Sequence, residues 1–198
     1  GSGGGGGGGE GGGGGVLPER ETGGVGSGEV EFSLLDQQTK VFFWSTIMNI
    51  DSAEGNNDTI LSQDFDEITG YSVMFEDDGK TAYAYLILNG KITADVWLYN
   101  RHIAPTQAEW DDPSKLPFMN PREYAFDLSI EPISNTNQVQ FVWNHDRQNC
   151  LINTEVFLRG ELYGQLTPTS CPGWSKLAKK DGPLARVLEI SNSVWGSK

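Results

Sequence analysis

Between positions 51 and 78 the chain carries nine carboxylates and no lysine or arginine: Asp51, Glu54, Asp58, Asp64, Asp66, Glu67, Glu76, Asp77 and Asp78. Like charges at that density repel one another unless a cation or a basic molecule screens them. One chemistry is docking of a basic protein on Asp64, Asp66, Glu67, Glu76, Asp77 and Asp78. A second is a calcium site, since calcium takes carboxylate and carbonyl oxygens from loops. The spacing in DSAEGNNDTI lacks the D-x-[DN]-x-[DN]-G order of an EF-hand. No cofactor is therefore expected, and calcium is the one cation the loops would hold. The plainest alternative is a solvated loop followed by the tip of a hairpin.

His102, His145, Cys150 and Cys171 lack the close pairing of structural zinc sites. Cys150, His145 and Asp146 share the turn NHDRQNC and would form a nucleophile, base and orienter only if the fold aligned them. There is no G-x-S-x-G elbow and no Walker loop, and G-x-G-x-x-G occurs only inside the glycine tract. The sequence thus offers no positive sign of an enzyme. A hydrolase of unknown substrate is the weakest alternative.

Six tryptophans lie at positions 44, 97, 110, 143, 174 and 195. Exposed tryptophan on a sheet face can stack on sugar rings or anchor a protein interface. Trp97 and Tyr99 are the candidates for such contact, while Trp44 and Trp143 read as core.

Residues 75–85, FEDDGKTAYAY, have a local logic. The aspartates can accept hydrogen bonds from nearby amides, and glycine can close the turn. The same string resembles a signature of a family of small uncharacterised acidic bacterial β-proteins, in which an acidic turn precedes an aromatic strand. The resemblance implies a bacterial origin and brings no activity with it. Small acidic β-proteins of this kind are similar in type to immunity proteins that neutralise toxins.

The elements that must position these residues are strands. VEFSLL and KVFFWSTIMNI alternate as strands, and a polar stretch from Asp51 to Glu67 reads as a long loop. YSVMFE is a strand. TAYAYLIL and KITADVWLYN form a hairpin about Asn89-Gly90, a pair that accepts positive φ at both central positions. Counting from that turn puts Tyr83, Tyr85, Ile87, Ile92, Ala94, Val96 and Leu98 on one apolar face, with Trp97 and Tyr99 on the mixed one. A proline-rich connection spans 102–123. EYAFDLSIEPI and VQFVWNH read as strands, and INTEVFLRGELYGQL as one strand bent at Gly160. Residues 175–191 read as a short helical region broken at Asp181-Gly182-Pro183. The expected fold is mainly β: a single antiparallel β-sandwich, or a strongly curved or closed sheet, with that one C-terminal helical region.

Residues 1–31 are almost all glycine and polar, too poor in apolar side chains to offset ordering entropy, so they read as a disordered tail before a domain at 32–198. The net charge is −13, and 22 acidic against 13 basic residues remain from Phe32 onward. That balance disfavours nucleic acid and anionic membranes as partners. No apolar run nears the ~18 residues of a membrane span, and no signal peptide opens the chain. A cytoplasmic location is expected, or a secreted one had a leader been removed. Two cysteines are too few for a disulfide framework. The expected function is non-catalytic: an acidic binding protein, immunity-like or inhibitory, that docks a basic protein partner. The main alternative is a calcium-dependent carbohydrate-binding module.

Overall fold

The computed structural model describes residues 59–128 and 130–189. The tail at 1–31, the strands expected within 30–50, Trp44, Asp51, Glu54, Asp58 and Trp195 lie outside the described residues. The described fold is mainly β, with two sheets that do not close into a barrel. The first has the order β1-β2-β3-β4, where β1 is Ile60–Phe65, β2 Tyr71–Asp77, β3 Thr81–Leu88 and β4 Lys91–Asn100. The second has the order β5-β6-β7-β8-β9, where β5 is Val139–His145, β6 Leu151–Leu158, β7 Glu161–Leu166, β8 Trp174–Ser175 and β9 Arg186–Val187. All pairings are antiparallel except β8 with β9.

The β3–β4 hairpin turns at Asn89-Gly90 as its residues dictate, with φ of 51° and 72° and Leu88 opposite Lys91. Beyond the turn the register departs from simple counting. Ile87 faces Ile92, but Leu86 faces Ala94, so Thr93 is an extra residue; Leu98 is a second one between the Tyr83–Trp97 and Ala82–Tyr99 pairs. Each bulge moves the following side chains to the opposite face. Ala94 and Val96 therefore lie with Ala84 and Leu86, while Asp95 and Trp97 lie with Tyr85 and Tyr83. The expected single face of seven apolar residues is corrected accordingly. Both faces of β3 and β4 are largely buried, and side chains such as Phe75, Leu86 and Leu98, fully removed from water, contribute about 2 kcal/mol each.

The free edge of β4 is bonded to the second half of the chain. Trp97 N donates to Leu184 O at 2.9 Å, Gly173 N to Asp95 O at 2.7 Å, and Asp95 N to Ser170 O at 3.3 Å. Here the backbones come close because Gly173 has no side chain. A Cβ at that position would stand 2.5 Å from the Gln165 carbonyl oxygen and 2.9 Å from Leu166 Cδ2. Gly173→Ala is expected to lower stability by about 1–3 kcal/mol through overpacking, read as a lower urea midpoint at unchanged slope.

Four other expectations are corrected. The stretch 60–65, read as loop, is strand β1, a half-exposed edge whose polar residues obscured its alternation. Among its described residues EYAFDLSIEPI forms no strand and has only the bridge Ala125–Ala178. Gly160 does not bend one strand but closes a hairpin with Arg159, at φ of 79° and 52°, between β6 and β7. The C-terminal helical region does not form over 175–189; turns and β9 occupy it, with Gly182 N bonded to Ala185 O at 3.0 Å. Asp181 Oδ1 accepts from Val187 N at 2.8 Å, folding the segment back on itself instead of along a helix axis.

Candidate functional site

The six proposed docking carboxylates fall into two places. Glu76, Asp77 and Asp78 form the β2–β3 corner. Asp78 Oδ1 accepts from Lys80 N at 2.9 Å and Thr81 N at 2.8 Å, and Asp77 Oδ1 accepts from Gly79 N at 3.1 Å. EDDG is thus a turn held by its own aspartates. Its other partners come from far along the chain. Arg101 Nε lies 2.7 Å from Asp77 Oδ1, and the Asp77 side chain is 0% exposed. The Tyr99 hydroxyl donates to Asp77 Oδ2 and accepts from Ile133 N at 3.4 Å. Burial and the bond to Asp77 push the Tyr99 hydroxyl well above its ordinary range.

Glu76 lies on the opposite face and is also buried. The Tyr85 hydroxyl lies 3.3 Å from its Oε2. Burial, then the charge of Asp78, raise the Glu76 carboxyl to about 7, opposed by the Tyr85 hydrogen bond. Trp97 and Tyr99, expected at a contact surface, are 1% and 0% exposed. Trp97 Nε1 donates to Asn100 Oδ1 at 2.8 Å. None of Glu76, Asp77, Trp97 and Tyr99 is available to a partner, because both faces of β3 and β4 are covered and Asp77 is held in a buried ion pair. This corner is structural.

Asp64, Asp66 and Glu67 lie where β1 and the β1–β2 turn meet β5. The Asp66 backbone closes that turn with Tyr71 O and Gly70 N, each at 2.8 Å. Its buried carboxylate takes His145 Nε2 at 2.8 Å, Ile68 N at 3.2 Å and the Thr69 hydroxyl. Burial pushes the Asp66 carboxyl up, but the His145, Thr69 and Ile68 hydrogen bonds outweigh it and hold the group below its usual value. Asp64 is exposed and accepts from Trp143 Nε1 at 2.9 Å. The two aspartates thus dock the edge of the first sheet to the edge of the second.

Apolar side chains stand open around this junction. Phe65 and Ile68, flanking Asp66 and Glu67, are 56% and 58% exposed. Ile152, the extra residue where β6 passes His145, is half exposed. The acids here are plain in the sequence, but the exposure of Phe65 and Ile68 is not, because the polar residues of β1 hide its alternation.

The conceivable Cys150–His145–Asp146 arrangement is not assembled. His145 is engaged by Asp66, while Asp146 Oδ1 holds the turn through Gln148 N at 2.8 Å and Cys150 N at 2.9 Å. Cys150 and Cys171 are not bonded to each other. Among the described residues no three His, Cys, Asp or Glu side chains converge as a cation site. Among them, too, no helix is long and apolar enough to cross a membrane. The chain matches no family model, curated protein or solved structure.

Proposed function

We propose that this is a non-catalytic binding protein that docks a basic protein partner at the β1–β5 junction, in the manner of an immunity or inhibitor protein of the bacterial cytoplasm. The observation that carries the reading is the exposure of Phe65 and Ile68 beside the exposed carboxylates of Asp64 and Glu67. Apolar anchors ringed by charge are the composition of a protein interface, with the anchors supplying buried contact and the rim steering encounter. The Asp66–His145 and Asp64–Trp143 contacts fix the anchors' backbone on both sheets, which lowers the ordering lost on binding. The overall negative charge favours a basic partner.

A photoreactive phenylalanine at position 68, with position 126 as the control, tests the surface in bacterial cells. A basic protein should crosslink at 68 and not at 126. With that protein purified, Phe65→Asp with Ile68→Asp should weaken binding at least tenfold at unchanged melting temperature. Asp64→Asn with Glu67→Gln should slow association at low salt. No crosslink at 68, or affinity indifferent to the aspartates, would overturn the reading.

A further inference from the structure

A second surface is independent of that junction. The outer face of the second sheet carries one cross-strand row: Val142 opposite Glu155, Glu155 opposite Gln165, Gln165 opposite Trp174, and Trp174 opposite Arg186. Opposed residues in a sheet point the same way. Carboxylate, amide, indole and guanidinium therefore stand side by side, about 4.8 Å apart from strand to strand. All four are only partly buried.

At the indole end the surface sinks into a groove of about 320 Å³, lined by Gln165, Trp174, Asp181, Val187, Leu188 and Glu189. That volume lies at the low end of the range for small-molecule sites. It brings together an indole, an amide, two carboxylates and Leu188, while Val187, opposite the buried Ser175, packs its side chain toward the core.

We infer that this groove binds a neutral carbohydrate, with Trp174 as the platform for one sugar ring and Gln165, Asp181 and Glu189 as the groups that take its hydroxyls. A pyranose has an apolar face of C–H bonds and an equatorial belt of hydroxyls, and it needs this combination of plate and planar polar groups. The row running on to Glu155 continues the polar track beyond the groove, as an oligomer would require.

The neighbouring charges choose between ligand classes. The Arg186 guanidinium lies over the Trp174 ring, 5.3 Å from its centroid, which fixes the indole plane and places a positive charge at the ring. Asp181, Glu189 and Glu155 outnumber that one positive charge and repel an anionic ligand, while the guanidinium over the ring takes the place a cation would occupy on the indole. A neutral polyhydroxylated ligand meets neither penalty at the plate and can use both donor and acceptor groups.

The test is a printed array of neutral hexose oligomers (glucans, mannans and galactans), with sulfated glycans, sialylated glycans and polylysine on the same slide. The expected result is signal on at least one neutral series, lost at least tenfold in Trp174→Ala and in Gln165→Ala. Phe65→Asp with Ile68→Asp should retain it, which separates this site from the protein-docking surface. If Trp174→Ala fails to fold, Gln165→Ala on the exposed face decides. Absence of signal on every neutral series, signal confined to charged spots, or signal that survives Gln165→Ala would overturn the inference.

Discussion

Arg101→Met is expected to destabilise the protein by about 3–5 kcal/mol, because it strands the Asp77 carboxylate inside the fold. Asp77 is fully removed from solvent, and Arg101 Nε stands 2.7 Å away. The bonds from Tyr99 and Gly79 N remain in the variant, but neither carries a positive charge. Asp77→Asn should lose less, since the amide oxygen keeps an acceptor for Tyr99 and the charge left behind, on Arg101, is 16% exposed where Asp77 is fully buried. The double change Asp77→Leu with Arg101→Met should recover most of the loss, because replacing both members of a buried pair is often near neutral. For a domain of this size, a loss of 3–5 kcal/mol lowers the melting temperature by roughly 6–20 °C. Calorimetry of the three variants checks it. A single Arg101→Met that melts with the parent would show that the pair is not buried as described.

The second large effect depends on pH. Glu76 has a folded-state value of about 7 against an ordinary 4.5. Between those values the folded protein keeps a proton that the unfolded chain has released. Stability therefore falls as pH rises through that window and levels off above it, by roughly 3 kcal/mol in all. Glu76→Gln removes the titration while keeping an oxygen for the Tyr85 hydroxyl. The variant should match the parent near pH 4.5 and exceed it by roughly 2–3 kcal/mol at pH 8. Asp66 acts in the opposite direction. Its lowered value contributes stability above the ordinary carboxylate range and loses it on acidification. Urea unfolding of parent and variant at several pH values checks both slopes. Parallel curves from pH 5 to 8 would exclude the Glu76 account.

What the sequence made legible was what its local chemistry decides. Asn89-Gly90 sets its own turn, so the hairpin and its Leu88–Lys91 pairing could be read directly. The β-rich character of the chain followed from the alternation of YSVMFE and TAYAYLIL. The bulges at Thr93 and Leu98 were not legible. They arise where β4 meets Ser170, Gly173 and Leu184, residues distant in sequence, and with them went the face assignment of Trp97; at Tyr99, opposite Ala82, the second bulge restores the expected face but the fold covers it. The fate of the acidic run was hidden for the same reason. Asp77 is neutralised by Arg101, and Asp66 meets His145 79 residues away. A count of like charges cannot see partners that only folding supplies. The helix expected at 175–191 does not form over its described part, 175–189, because the backbone there is bonded to β4 and β7, at Leu184 and Ser175, and not along an axis of its own.

The backbone bonds from β4 to Ser170, Gly173 and Leu184 carry one more consequence. Neither sheet can open along that border without breaking main-chain bonds shared with the other. The amide protons of Trp97 and Gly173 should exchange with deuterium only in the largest opening of the described fold, at a common rate, and the molecule should lose both layers in a single event.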